Sequence, residues 1–362
     1  MCPKETSSPQ SHFVTAAMGI IIFVLFVWIL VIGRPIILPF LIAVFMSFVL
    51  APIVDFLTRY KVPNSLAVLI TILLAFVVLY LLGLIIYANA EVFIEEFPKY
   101  KDRLLTILNS FTQSLSALLG QTIDMNALKK IDWVATLQRL SIGHGIVSSI
   151  GTFLTFFGKM VLVILFIAYM LSGKRNLEEK IYMAFPERHS KQIADVIVSI
   201  NAQVQTYLSA KTLISFITGV VSIGVLYAFG LDFAIFWGFV IFIFNFIPNI
   251  GSILASVLPV LFSLLQFGSL STAFWIAVSM VVIQFVMGNV VEPRMMGQSL
   301  NLSPLIVILS LIFWGYIWGV VGMILAVPIL SITAIVCENI DSLRFISVFI
   351  RGTVREEKQL KN

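Results

Sequence analysis

The chain has 362 residues, of which 60% are hydrophobic and 11% are charged, and its formal net charge is +5. Soluble domains carry about 25% charged residues, so this composition excludes an ordinary soluble domain and predicts a polytopic protein whose partner is the lipid bilayer. The basic excess is typical of cytoplasmic loops, and no nucleic-acid partner is expected, because aromatic and basic residues are not interleaved as on nucleic-acid-binding faces.

Apolar runs begin soon after the N-terminus. The first run lacks a small-residue cleavage site, which predicts a retained helix and not a signal peptide. Helices that cross a bilayer need about 17–25 residues, and every predicted span except the short run at 233–247 meets that length. The predicted spans are residues 13–33, 36–57, 66–90, 146–171, 209–229, 233–247, 250–267, 272–291 and 303–336.

A polar insert at residues 91–145 interrupts the apolar runs. Five apolar residues in it are spaced four, three, four and three apart, which is the pattern of a heptad seam. They are Leu104, Leu108, Phe111, Leu115 and Leu118. The seam could pair helices between subunits of a homo-oligomer, or it could fold back on its own segment.

A second polar segment covers residues 172–205. Its apolar side includes Ile193, Val204 and Tyr207, which predicts an amphipathic helix on the membrane surface or against the bundle. The interruptions divide the chain into predicted units 1–90, 91–145, 146–208, 209–337 and 338–362. The last unit is a basic tail, and the one before it is a dense transmembrane bundle.

Lys and Arg set the expected orientation. They concentrate after the second span, after the fourth span and in the tail, and such loops face the cytoplasm. Both termini are therefore expected in the cytoplasm of an inner-membrane protein, with the polar insert outside. Single crossings after the fifth span would leave the tail outside. A helix break near Gly315 and Gly319 would form a hairpin that returns the tail to the cytoplasmic side, and the chain would then have about eight spans. In an unbroken helix, the two glycines would instead form a GxxxG packing face. The charge argument favours the break.

Few charges interrupt the apolar regions. Between Thr212 and Cys337 the charged residues are Asp232, Glu292 and Arg294. Asp232 fits a helix N-cap in a short loop. Lys211 is expected to snorkel toward the interface. Lys159 lies inside the fourth span and is expected to face a cavity or a partner carboxylate, because exposure to lipid would be costly.

Two polar groups are candidates for a substrate or ion pathway. The first is Asn245, Pro248, Asn249 and Gly251, where proline and glycine free backbone carbonyls. This backbone could form a discontinuous helix that lines a pathway, or a tight turn at the membrane surface.

The second group is Gln284, Asn289, Glu292 and Arg294, with Pro293 between the two charges. Since Glu292 and Arg294 are two residues apart, they do not share a helix face, and a loop beside the Pro248 break is expected. Glu292 could form an interfacial ion pair or serve as a coupling or gating carboxylate.

Sequence signatures of enzymes are absent. The chain contains no P-loop and no HExxH, and its three histidines are scattered. No catalytic residue, cofactor or metal site is expected, so transport would be passive or ion-coupled. A membrane scaffold that acts through the polar insert is the alternative, and an intramembrane enzyme is the weakest option.

Several short motifs in the C-terminal half resemble the autoinducer-2 exporter family of bacterial and archaeal permeases. They are residues 245–251, Glu292-Pro293-Arg294-Met295-Met296-Gly297, Leu302-Ser303-Pro304-Leu305, the run from Gly319 to Gly322, and Ala326-Val327-Pro328. The chain departs from the family pattern at Ser252, where a proline is usual, and near Lys211, where glutamine is common. The resemblance implies an all-α transmembrane bundle, oligomeric assembly, and export of a small signalling molecule or exchange of a monovalent cation for protons.

Overall fold

The computed structural model describes residues 9–119, 150–173, 183, 187–296 and 301–352. This part of the chain is helical, apart from one isolated bridge between Leu302 and Arg351. Six of its helices are long and apolar enough to cross a membrane, and three shorter apolar helices accompany them. The predicted all-α polytopic bundle is confirmed.

The N-terminal half consists of four helices: α1 (Pro9–Ile32), α2 (Arg34–Arg59), α3 (Asn64–Leu119) and α4 (Ile150–Gly173). Their ends lie in the predicted spans or within a few residues of them, except that α3 has 56 residues. At 1.5 Å per residue it is about 84 Å long, far more than the ~30 Å hydrocarbon core. Helix α3 therefore continues into the polar insert. The five side chains of the heptad seam lie outside the described part of the structure.

Helices α2, α3 and α4 pack around a cluster that includes Ala43, Leu50, Ala67 and Ile167. The Phe40 and Phe166 rings meet edge to face at 5.3 Å. Leu171, five residues after Phe166, belongs to the cluster that holds Ala43 and Leu50, which follow Phe40, so α2 and α4 run in the same direction.

Helix α5 (Glu187–Ala228) has 42 residues and joins two predicted elements. The amphipathic segment and the span at 209–229 are one continuous helix, so the predicted boundary at residue 208 falls inside it. Along the amphipathic part, Val204 and Tyr207 are buried while Lys191 and Asp195 are exposed. The apolar face thus packs against the bundle, which was one of the two predicted placements, the other being the membrane surface.

Helices α6 (Ala234–Phe244) and α7 (Ile250–Phe267) form a helical hairpin, hairpin 1. A side chain at Gly251 would overlap the Phe244 carbonyl, so the turn depends on glycine. At the open end, Gln266 accepts a hydrogen bond from the Asp232 amide at 2.8 Å and donates one to the Gly230 carbonyl at 2.8 Å. Hairpin 1 therefore returns to the end of the bundle from which it started.

Helix α8 (Leu270–Val286) follows and passes through a π-helical turn, Met287–Val291, into the short α9 (Glu292–Met296). The expected loop at Glu292 is wrong, because this residue begins α9. π-Helical turns are rare and are frequent at functional sites.

The last long helix, α10 (Pro304–Glu338), is broken at Gly319, where φ is 67° and ψ is −147°. Its two arms fold against each other, since the Ser310 hydroxyl donates a hydrogen bond to the Ala326 carbonyl at 3.2 Å. The predicted break is confirmed, and residues 304–338 form hairpin 2. Both of its ends lie beside α11 (Arg344–Ile350), where Arg351 pairs with Glu338 at 2.7 Å.

The two hairpins open at opposite ends of the bundle. The open end of hairpin 1 is at Asp232, just after the C-terminus of α5. The open end of hairpin 2 is near Leu302, which packs in the same cluster as Val204 in the N-terminal half of α5. Because α5 is about 63 Å long at 1.5 Å per residue, the hairpins enter the bundle from opposite sides.

Candidate functional site

The turn of hairpin 1 lies inside the bundle. Ile247 at this turn is 1% exposed and packs with Leu311 and Ala326, which lie midway along the arms of hairpin 2. The buried Asn245 amide donates a hydrogen bond to the Ser215 hydroxyl of α5 at 3.0 Å. The part of the turn before Pro248 is thus buried against α5 and hairpin 2, while Asn249 at its tip is exposed.

The central feature of the site is an ion pair between Lys211 and Glu292, one helical turn along α5 from Ser215. The Lys211 ammonium contacts both carboxylate oxygens of Glu292, at 2.7 and 2.9 Å. The Lys211 side chain is 5% exposed and the Glu292 side chain 28%. The expectation that Lys211 snorkels is wrong: it is buried and paired with an acid 81 residues away.

Polar residues continue along the same face of α5. Lys211, Ser215, Thr218 and Ser222 are spaced four, three and four residues apart, so they form one stripe, and all four are buried. Close contact with α6 covers part of the stripe: a side-chain carbon at Gly219 would lie 2.9 Å from the Gly238 carbonyl oxygen. Burying a polar group away from water costs free energy unless the group makes a hydrogen bond.

One hydroxyl of the stripe, and several polar groups outside it, have no protein partner. Within the described part of the chain, Ser209, Thr212 and Ser222 hydroxyls and the Gln284 amide nitrogen are buried without a hydrogen bond. Three of them are on α5, and Gln284 is on α8, which packs against α5. Hydroxyls and amides of this kind can donate to, or accept from, a polar solute or a hydrated ion.

The structure separates the predicted pathway residues into two sets. Asn245 and Gly251 are buried, and Glu292 and Gln284 are half-buried. Asn249, Asn289, Pro293 and Arg294 are exposed, and Pro248 is half-buried. Arg294 is therefore not the partner of Glu292.

The predicted structural motif is distributed over hairpin 2. Pro304 begins α10, and Gly319 forms its break. Gly322 leaves room for the Trp314 carbonyl, Gly315 faces Met323, and Pro328 is buried in the second arm. Gly297 lies outside the described residues.

A second polar contact lies at the Asp232 end. The Tyr100 hydroxyl in α3 lies 2.8 Å from the Asp232 carboxylate and 3.1 Å from the Glu96 carboxylate. Burial raises the pKa of Tyr100 above its usual range, and the hydrogen bond with Asp232 raises this pKa further. The predicted N-cap role of Asp232 is wrong, because Phe233 occupies the cap position of α6. Asp232 instead joins hairpin 1 to α3.

Lys159 faces a cavity, one of its two predicted surroundings, but its side chain is also exposed. It lines a cavity of about 570 Å³ between α2, α3 and α4, together with Arg34 and mostly apolar residues. This cavity is distinct from the Lys211–Glu292 site, which lies among α5, hairpin 1 and α9.

Sequence reasoning missed the partnership of Lys211, Ser215 and Tyr100 with residues far along the chain. The only signal available was the rarity of charge: Asp232 and Glu292 are the acids between Lys211 and Glu338. Each of them has a buried partner in the folded chain.

Comparisons with known proteins match most of this chain. A sequence model of the AI-2E family of transporters matches residues 20–342. The AI-2 transport protein TqsA of Escherichia coli strain K12 is 32% identical over 326 residues, which cover 89% of this chain and 91% of that protein. A protein of Borreliella burgdorferi whose name proposes a role in transport is 30% identical over 335 residues, which cover 92% of this chain and 90% of that protein.

Proposed function

This chain belongs to the AI-2E family of transporters, and from that premise we propose that it is a permease which exports a small polar solute or exchanges a monovalent cation for protons. It would do so without hydrolysing ATP and without enzymatic chemistry. The observation that carries the proposal is the pair between buried Lys211 and half-buried Glu292, one helical turn along α5 from the contact of Ser215 with hairpin 1.

The pair can respond to a cation or a proton. A carboxylate in a low-dielectric site needs a positive partner, and Lys211 supplies it in this conformation. A proton or a monovalent cation that reaches Glu292 would compete with the Lys211 ammonium for the same two oxygens. Because 28% of the Glu292 side chain is exposed, the carboxylate is within reach of such a competitor.

The hairpins provide the elements that alternating access requires. Hairpin 1 enters beside the site from one end of the bundle, hairpin 2 enters from the other end, and the two pack together at Ile247 and Leu311. Interrupted helices that meet near the bilayer midplane are the usual setting of substrate and ion sites in secondary transporters. Movement of either hairpin would open the site to one side only.

Two classes of solute follow from this arrangement. The unpartnered hydroxyls of α5 and the Gln284 amide suit a small solute with several hydroxyl groups, and the name of the Escherichia coli relative, an AI-2 transport protein, supports a signalling molecule. The ion pair itself suits cation–proton antiport.

The orientation and assembly are part of the proposal. We place both termini in the cytoplasm and the polar insert outside the inner membrane, because the Lys and Arg clusters favour that arrangement. A cysteine at Ser114 should then label from outside and one at Glu356 only from inside. A homo-oligomer that uses the heptad seam should become smaller when Leu108→Asp is combined with Leu115→Asp.

Flux in proteoliposomes tests the function. Purified protein is reconstituted, and uptake of labelled autoinducer-2 and of sodium is measured with and without a proton or sodium gradient. Glu292→Gln keeps the size of the side chain and removes its charge, so it should reduce gradient-driven flux by at least about tenfold. Arg294→Gln is the matched control, since Arg294 is exposed two residues away, and it should retain most of the flux.

Normal flux in Glu292→Gln would reduce Glu292 to a structural charge and move the search to Asn245, Asn249 and Gln284. Absence of flux for every solute in the wild-type chain, with intact reconstitution, would favour the scaffold alternative.

A further inference from the structure

The cavity beside Lys159 has the form of a narrow apolar slot. It follows α2 from Arg34 to Leu50, a distance of about 24 Å at 1.5 Å per residue. Its walls between these ends come from α2, α3 and α4 and are apolar, for example Met46, Ala75 and Val163. Phe76 and Leu79 line the slot and are also exposed on the bundle surface, so the slot is open to the surrounding bilayer.

Both charged residues of the slot are at one end. Arg34 and Lys159 stand at the same level, because α2 and α4 run in the same direction and the Phe40 and Phe166 rings that follow them are in contact. Both side chains are exposed, and neither makes a hydrogen bond or an ion pair within the described part of the chain. Cations beside apolar helices are costly unless they meet an anion.

We propose that this slot binds an acyl chain of an anionic phospholipid, whose phosphate lies against Arg34 and Lys159. A bilayer leaflet supplies acyl chains about 15 Å long, half of the ~30 Å core, which is shorter than the slot. A phosphate offers several acceptor oxygens to a guanidinium and an ammonium at once.

The dimensions of the slot favour a lipid over a helix of a second copy. A volume of about 570 Å³ spread over about 24 Å corresponds to a mean cross-section of roughly 24 Å². A helix with its side chains is about 10–12 Å across, so it would be far too wide. The charge at the end of the slot is a further reason, because an apolar helix would leave both cations without a counter-charge.

Lipid titration followed by native mass spectrometry tests the proposal. The full chain in mild detergent is titrated with phosphatidylglycerol and with phosphatidylcholine of the same acyl chains. Each basic residue near an anionic headgroup is worth about fivefold in affinity, so the wild-type chain should bind phosphatidylglycerol roughly 25-fold more tightly. Arg34→Gln combined with Lys159→Gln should abolish this preference. Ala75→Phe should fill the slot and weaken the binding of both lipids while keeping both charges.

The control is Lys99→Gln combined with Arg103→Gln, which removes two exposed cations outside the slot and should leave the preference intact. An equal loss in the control would show that the preference is a general charge effect and would overturn the proposal. So would unchanged lipid binding in Ala75→Phe, or cross-linking between two copies through a cysteine at Ala75. Because flux is not the readout, failure here leaves the transport proposal standing.

Discussion

The first half of the chain, up to Gly173, contains the least buried of the six spans, and the second half, after Glu187, contains the most buried one. In the apolar part of α3, 6% of the residues are buried, whereas 56% are buried in the apolar part of α10. Helix α1 likewise exposes most of its large side chains, among them Phe23 and Trp28. Helices α1 and α3 thus present most of their apolar surface outward, whereas α10 turns more of it toward the other helices.

Polar groups show the same contrast. The buried hydroxyls of the N-terminal half, Ser47 and Thr71, donate hydrogen bonds to carbonyls of their own helices. The C-terminal half has such bonds too, for example at Thr218. It also has polar contacts between different helices: Asn245 bonds to Ser215, and Lys211 pairs with Glu292. Buried polar contacts between helices fix their relative positions in a way that contacts within one helix do not. The C-terminal half should therefore be much more sensitive to polar substitution.

The largest effect is expected at the ion pair. Lys211→Gln or Glu292→Gln alone leaves one buried charge without its partner, which costs about 3–5 kcal/mol in a dry site. The partial exposure of Glu292 places the expected loss of stability at the lower end of that range. The double variant should recover most of it, since replacement of both charges is often nearly neutral.

Thermal unfolding midpoints in detergent, measured for the two single variants and the double variant, test this expectation. Additive losses would show that the two residues do not depend on each other. Lys159→Gln in the N-terminal half is the matched control, and its midpoint should change little.

Much of this architecture could be predicted from residues close together in the sequence. The break at Gly319 followed from the need to bring a basic tail back to the cytoplasm, and the turn after Asn245 followed from Pro248 and Gly251. The partner of Glu292 could not be predicted, because Lys211 is 81 residues away and helix packing alone decides whether a lysine snorkels or pairs. Asp232 was misassigned for the same reason: its hydrogen bond comes from Tyr100, 132 residues earlier.

The next effect concerns glycine in the two halves. Gly251→Ala would force a side-chain carbon into the Phe244 carbonyl, and overpacking of this kind costs about 1–3 kcal/mol or more. Gly83→Ala in α3 meets no atom within 4 Å and should be neutral or stabilising by about 0.5–1 kcal/mol, because alanine favours helix. Unfolding midpoints would separate the two variants. Equal midpoints would mean that hairpin 1 is looser than its geometry indicates.

A smaller effect separates two serines that carry the same substitution. Ser215→Ala leaves the buried Asn245 amide without its acceptor, a loss of about 1–3 kcal/mol. Ser47→Ala removes a hydrogen bond to the Val44 carbonyl of its own helix and should cost about 0.5 kcal/mol or less. Unfolding midpoints again provide the measurement, and flux should fall in Ser215→Ala only. A larger loss in Ser47→Ala than in Ser215→Ala would reverse the contrast between the halves.

The smallest effect tests the contact that joins the halves at the Asp232 end. Tyr100→Phe removes the hydroxyl near Asp232 and Glu96 but keeps the ring, which packs on Phe262 at 5.1 Å. Near neutral pH the loss of this hydrogen bond should cost about 1 kcal/mol.

The pH dependence identifies the cause. Burial, followed by the hydrogen bond with Asp232, raises the pKa of Tyr100 in the folded chain. A group whose folded pKa exceeds its unfolded pKa, about 10 for tyrosine, contributes stability that is complete below that pH and is lost as the pH rises above it. The wild-type chain should therefore lose stability above about pH 10 by up to about 1.4 kcal/mol per pH unit, and Tyr100→Phe should not lose this part. The difference between the two unfolding midpoints should stay constant from pH 8 to about pH 9, shrink around pH 10 and change sign before about pH 11, where the loss of about 1.4 kcal/mol exceeds the hydrogen bond. Tyr60→Phe, at an exposed tyrosine, should not reproduce this change. A constant difference across this range would show that the hydroxyl of Tyr100 is not held between α3 and hairpin 1.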